Sequence, residues 1–244
     1  MKNVLIMLAF AAPMAFSWGN METMETKSYP AAPDLVLEFA GANVDISFHE
    51  GTELRITNNE FTDPDFPLSV SEGRCSFDAA AYRESRKAGS GNGEKPKYIV
   101  RLPATTERVV VRADRVRLRP ELIAQARPAA LKELAISGIS IELRDIDPLP
   151  ARIALDAEEI VLRDSAALVC AVELRRSCSL RLHRLSVSEL SFEGAGTVRM
   201  EGHRVDAEAV SVSPGLRGAA ELTDSRVGAW NGPDGFAVSM EGKR

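Results

Sequence analysis

The sequence predicts an all-β fold, a parallel β-solenoid (β-helix-like) with coils of about 19 residues and an N-terminal β cap. Three observations carry this expectation. Short apolar triplets recur in two interleaved series. Ile136, Leu155, Leu174, Phe192 and Val212 mark the first, at spacings of 19, 19, 18 and 20; Leu143, Leu162, Leu182 and Met200 mark the second, at 19, 20 and 18. Within each triplet the first and third residues are apolar and the middle one is mostly polar, the period-2 pattern of a strand with one buried face. The triplets are rich in Val, Ile and Leu and show no helical periodicity. A unit this small cannot bury its own apolar face, whereas units stacked one strand spacing apart (~4.8 Å) make a continuous interior. A leucine-rich repeat requires a longer consensus with an asparagine position, and an antiparallel sandwich does not explain a regular period.

Taken in order, the chain opens with Lys2, an apolar run Val4 to Ala12, and small residues at Ala15 and Ser17. A basic start, a run too short to span a bilayer and a small-x-small exit describe a secretory signal peptide over residues 1–17, cleaved after Ser17 with Gly19 as the second choice. Residues 18–33 lack an apolar period and read as a flexible leader. Residues 34–103 alternate well in Leu35–Phe39, Val44–Phe48, Leu54–Ile56, Leu68–Val70, Arg74–Phe77 and Tyr98–Leu102, and form the cap that covers the first open edge of the stack. Residues 84–97, with Gly89, Gly91 and Gly93, read as a mobile hairpin loop. The coils occupy 104–244, in one continuous domain from 34 to 244. Residues 119–133 interrupt the period and hold a candidate helical turn at Glu121–Ala126. At the far end Phe236–Met240 closes the last coil, with Trp230 packed over it or exposed as a contact residue.

The segment Tyr98-Ile99-Val100-Arg101-Leu102-Pro103, followed by Glu107–Val111 and Val116-Arg117-Leu118, resembles the strand-Leu-Pro-strand opening of the GIN-domain family, the auto-transporter adhesin heads of bacterial envelopes. Val44-Asp45-Ile46, Leu54-Arg55-Ile56 and Ser71–Phe77 look like its first strands, and Ile136–Ser140 and Glu193–Thr197 like its Ser/Gly turns. The resemblance covers roughly residues 35–240. Asp156–Glu159 and Arg175–Cys178 stand where the family has Ser/Gly turns. The resemblance implies a β-solenoid fold and a bacterial envelope location, periplasmic, secreted or on the cell surface. It carries no catalytic residues.

Composition narrows the function classes. Thirty basic residues against 35 acidic give a net charge of −5, so no global positive field draws the chain to nucleic acid or anionic lipid. Aromatic residues make up 6%, too few for a stacking platform. The expected protein is not an integral membrane protein once the signal is removed. Its partner is an envelope glycan or protein, and it needs no cofactor. His49, His183 and His203 have no partner at a metal-ligand spacing, so no metal site is expected. No nucleophile elbow or phosphate loop is present. Asp145 and Asp164, one period apart, are the one carboxylate pair that a polysaccharide-active solenoid enzyme would use. Arg184 and Gly202 follow in that column, and Arg144, Arg163, His183 and Glu201 form a mixed row beside it, a pattern that reads as a surface ion-pair ladder. Along the outward row Arg117, Glu142, Val161, Arg181 and Arg199, the three arginines either grip an oxyanion-bearing ligand or form a solubilising face. Cys170 and Cys178 both point inward across the turn Arg175-Arg176-Ser177, either as a disulfide or as two buried thiols. The leading expectation is a non-enzymatic envelope protein that binds or scaffolds through a rigid solenoid. The alternative is a polysaccharide-active enzyme.

Overall fold

A computed structural model describes residues 26–58, 68–87, 95–120 and 130–241. The signal-peptide segment, the candidate turn at 121–126 and the glycines at 89–93 lie outside the described residues. The fold is all-β. Its strands are β1 (Thr26–Pro30), β2 (Asp34–His49), β3 (Glu53–Asn58), β4 (Leu68–Ser71), β5 (Arg74–Phe77), β6 (Lys97–Pro103) and β7 (Arg108–Leu118), then β8 (Glu133–Ser137), β9 (Ser140–Arg144), β10 (Arg152–Asp156), β11 (Glu159–Leu174), β12 (Cys178–Gly194), β13 (Gly196–Val212), β14 (Leu216–Thr223), β15 (Arg226–Asn231) and β16 (Phe236–Glu241). One short helix, α1 (Ala79–Lys87), follows β5.

Pairing is parallel throughout the stack. β2 pairs β7, which pairs β8 and β9; β8 pairs β10, and β10 and β9 both pair β11. β11, β12, β13 and β14 then follow in parallel, with β16 on β14 and β15 on β13. Each long strand wraps more than one face of the coil. In β12 the inward residues are Cys178, Leu180 and Leu182, then Leu185 and Val187, then Leu190 and Phe192. Two consecutive residues point outward at His183–Arg184 and again at Ser188–Glu189, and each break in the alternation turns the chain a corner. With the turn after Leu174 the coil has three faces. The apolar triplets of the sequence lie on the first and third; the second, with its short inward pairs such as Leu185 and Val187, carries no triplet to recognise.

The corner after the first face is built identically in successive coils. Asp145, Asp164, Arg184, Arg204 and Asp224 all adopt positive φ between 50° and 55°. This left-handed conformation is uncommon outside glycine, with Asn and Asp the residues that adopt it most readily. Two serines pin the corner across coils. Ile146 N–H donates to Ser165 Oγ (3.1 Å), and the Ser165 hydroxyl donates to the Arg163 carbonyl (2.9 Å). Val205 N–H and Ser225 repeat the arrangement at 3.0 and 2.9 Å, the latter onto the Thr223 carbonyl.

The interior consists of in-register ladders. Val44, Val116, Ile141, Ile160, Leu180, Met200 and Ala220 form one, and Leu37, Val111, Ile136, Leu155 and Leu174 another. All are buried. At about 2 kcal/mol for each buried aliphatic side chain, the ladders drive the stacking. The register departs from the sequence expectation beyond β11. Phe192 stacks on Val172 rather than on Leu174, and Met200 on Leu180 rather than on Leu182. Gly194 and Gly202 take the places opposite Leu174 and Leu182. A slip of two residues keeps every side chain on its own face, so alternation alone cannot detect it. Gly194 is at φ +125°, and a Cβ there would lie 2.1 Å from the Leu174 carbonyl oxygen, so no other residue fits without moving backbone.

Parallel stacking begins within the segment expected as a cap, because β2 already lies parallel on β7 along two faces. The N-terminal end is covered by β6, by the antiparallel strands β3 and β1, and by β5 with β4. Two expectations are corrected here. Residues 26–30 of the leader form β1, held by pairing with β3 and by Tyr29 packed on the core. Residues 84–87 of the expected loop lie in α1, whose first turn is capped by Asp78 Oδ1 accepting from Ala80 and Ala81 N–H at 2.9 and 3.0 Å. Phe39, Phe77, Tyr82 and Tyr98 cluster at this end, with Phe39 and Tyr98 ring centroids 4.9 Å apart. At the other end half-buried Trp230 packs against buried Phe236 at 6.1 Å.

Candidate functional site

The outward row of the first face runs Asp45, Arg117, Glu142, Val161, Arg181, Glu201 and Glu221. Arg199 is not in it, since Arg199 pairs Ser179 and Arg181 pairs Glu201. The three arginines of the sequence row are each engaged by a carboxylate: Arg117 with Glu142 (3.5 Å), Arg181 with Glu201 (3.8 Å) and Arg199 with Glu201 (3.2 Å). Arg163 also approaches Glu142 at 3.9 Å. The surface is therefore a mixed-charge ladder rather than a basic stripe.

A groove of about 720 Å³ opens along this face, across β9, β11, β12, β13 and β14. Leu182 and Gly202 lie among its lining residues, where Gly202 leaves space that the Leu222 side chain enters; a Cβ there would lie 2.3 Å from Leu222 Cδ2. Its polar lining comprises Glu142, Arg163, Arg181, His183, Glu201, His203, Glu221 and Thr223. Its charged members are three carboxylates and two guanidiniums, so with neutral imidazoles the lining carries a small negative excess.

His183 and His203 stand side by side in this groove, paired in register with ring centroids 5.2 Å apart. Reading the chain for short metal-type spacings missed this pair. The available signal was their separation of 20 residues, one coil. Both immediately precede a left-handed corner residue, which places them at the edge of the first face. His203 Nδ1 lies 3.2 Å from Thr223 Oγ1, whose hydroxyl proton is donated to the Gly202 carbonyl (3.3 Å). His183 Nδ1 is buried without a hydrogen-bond partner. Burial, then the positive charge of Arg184 and the neighbouring His203 and Arg163, hold His183 below the ordinary imidazole range. Among the described residues no group of three His, Cys, Asp or Glu side chains is placed to hold a metal ion.

Asp145 and Asp164 do occupy neighbouring coils, as the period predicts, but they sit at corners. The Asp164 carboxylate is only 13% exposed; Arg184 donates to Oδ1 and Arg163 to Oδ2 at 3.2 Å, with Arg144 3.8 Å away. The Arg184 hydrogen bond first, and that of Arg163, hold this carboxyl below the ordinary carboxylate range against the opposing effect of burial. Arg144 engages Asp145 at 2.8 Å. A carboxyl so held cannot serve as the protonated general acid of glycoside hydrolysis.

Cys75, Cys170 and Cys178 are free, buried thiols. Cys170 and Cys178 both face inward, as alternation predicts, but they belong to different ladders, Cys170 on Leu190 and Cys178 on Val198. Burial pushes the Cys75 and Cys170 thiols up to about 12 and Cys178 to about 11. No helix among the described residues is long and apolar enough to cross a membrane.

No family model matches the chain, and no curated protein matches it either. The resemblance to GIN domains therefore stands on the segments quoted above alone. Among solved structures, the crystal structure of a "putative adhesin" from Bacteroides fragilis is similar over 91% of this chain and 95% of its own, at 12% identity and a TM-score of 0.39. A likeness this distant carries no functional argument.

Proposed function

We propose that this chain is a non-enzymatic, exported protein of the bacterial envelope, adhesin-like in working through a rigid solenoid, with the first-face groove as its binding surface. One observation carries the reading: side chains from five stacked strands converge on a single polar groove, while Asp164, one of the two carboxylates that catalysis would use, is closed by arginines. Rigid stacking fixes the spacing of those groups before a ligand arrives, which lowers the ordering cost of binding. Export rests on the N-terminal run from Lys2 to Ser17.

The test uses protein recovered from an envelope fraction. Its N-terminal sequence is expected to start at Trp18 or Asn20, and immobilised protein is expected to retain envelope glycan or protein without turning it over. An intact Met1 on soluble cytoplasmic protein refutes export. Release of reducing ends from a polysaccharide, abolished by Asp164→Asn, refutes the non-enzymatic reading and establishes the polysaccharide-active alternative.

A further inference from the structure

Resting on the groove as the binding surface, we propose that the His183–His203 pair reads a hydroxyl group, and that the ligand is a neutral, polyhydroxylated glycan. The hydrogen bonds assign the protons. Thr223 spends its hydroxyl proton on the Gly202 carbonyl, so its oxygen accepts from His203 Nδ1–H. His203 Nε2 is then a bare acceptor. The buried Nδ1 of His183 has no acceptor to receive a proton, so the ring carries its hydrogen on Nε2. The neutral pair presents one donor and one acceptor, a coil apart, to the groove that both rings line. A hydroxyl both donates and accepts.

A metal ion held by Nε2 of both rings would force the His183 proton onto its buried, partnerless nitrogen. The remaining lining favours the same class. The lining's small negative excess disfavours an acidic sugar, and Arg163 and Arg181 are already engaged by Glu142 and Glu201. Scarce aromatic residues mean that hydrogen bonds rather than stacking hold the ligand.

The experiment measures binding of the protein to immobilised dextran, mannan and polygalacturonate at pH 7.5, beside His203→Phe and His183→Phe, which keep a flat ring in the stack. The expected result is retention of a neutral polysaccharide at pH 7.5, weakened at least tenfold by either substitution, with no retention of polygalacturonate. Nitrogen-15 NMR of the imidazoles is expected to show the Nδ1–H tautomer for His203 and the Nε2–H tautomer for His183. Failure of both neutral polysaccharides, retention of polygalacturonate at pH 7.5, neutral binding that neither substitution changes, or the opposite tautomers overturns the proposal. Binding to an envelope fraction that survives His203→Phe overturns this inference and leaves the broader reading intact; absence of any envelope binding refutes the broader reading.

Discussion

Replacing Ser179 and Arg199 together by cysteine tests the register on which the groove depends. These residues are Cα partners on β12 and β13, so their Cα atoms stand one strand spacing apart, ~4.8 Å, inside the ~7 Å that a disulfide requires. The 18-residue spacing read from sequence pairs Arg199 with Arg181 instead. In the structure those two are offset by two residues, ~6.6 Å along the strand. Combined with the lateral spacing, this puts them ~8 Å apart, beyond bridging distance. Oxidation of Ser179→Cys/Arg199→Cys should close a loop of about 20 residues and stabilise the fold by ~3 kcal/mol on the chain-entropy estimate. Loss of the exposed Arg199–Glu201 pair subtracts less than ~1 kcal/mol. The native cysteines, buried and with raised thiol pKa, do not compete. Non-reducing peptide mapping and urea denaturation before and after reduction provide the assay. Ready cross-linking of Arg181→Cys/Arg199→Cys, with none for the 179/199 pair, would refute the 20-residue coil and separate His183 from His203.

Leu155 is fully buried between Ile136 and Leu174, so Leu155→Ala should cost about 2–5 kcal/mol by denaturant unfolding, whereas Val110→Thr, at a partly exposed middle position, should cost under about 1 kcal/mol. Ala154, which alternation assigns to the outside, is itself only 9% exposed and makes a poor control. Gly218→Ala should prevent folding or cost several kcal/mol, because φ is +135° and the new Cβ meets the Val198 carbonyl oxygen at 1.9 Å. Because the Asp164 pKa is depressed in the folded state, its contribution is present above the unfolded carboxylate value of ~3.9 and is lost as pH falls through the folded value. Asp164→Asn should therefore flatten the acid limb of stability below about pH 4, read by thermal melts from pH 7 to 2. Without reductant, iodoacetamide at pH 8 should leave Cys170 and Cys178 unmodified in the folded protein and alkylate both once it is unfolded; a Cys170–Cys178 disulfide in the peptide map would overturn the free-thiol arrangement.

Much of the candidate site was legible in the chain, though not its contacts. The Asp145–Asp164 stacking, the inward direction of Cys170 and Cys178, and the Arg117–Glu142–Val161–Arg181 row all follow from alternation plus a period near 19. The next step failed at Arg199 and at the His183–Glu201 neighbour, for one reason. Matching large apolar residues selects Met200 opposite Leu182, but the structure places Gly202 there and lets Leu222 enter the space. A packing partner from the following coil compensates for the missing side chain, and sequence matching within one pair of strands cannot detect it. Helix α1 leaves a short signal in the chain, the Asp78 cap and an alanine run, because nine residues are too few for a clear helical period.

The sequence by itself determined the all-β class, the direction in which each triplet faces, and stacking in place of sandwiching. Burial follows from hydrophobicity and strand parity, and both are local properties of the chain. The tertiary structure decided the second face, the 20-residue coil beyond β11, the left-handed corner column and the meeting of His183 with His203. Each of these depends on which residue lies across a neighbouring strand. A shift of two residues conserves every local preference, so only packing between coils, where Gly194 and Gly202 yield space to Leu174 and Leu222, separates one register from the other.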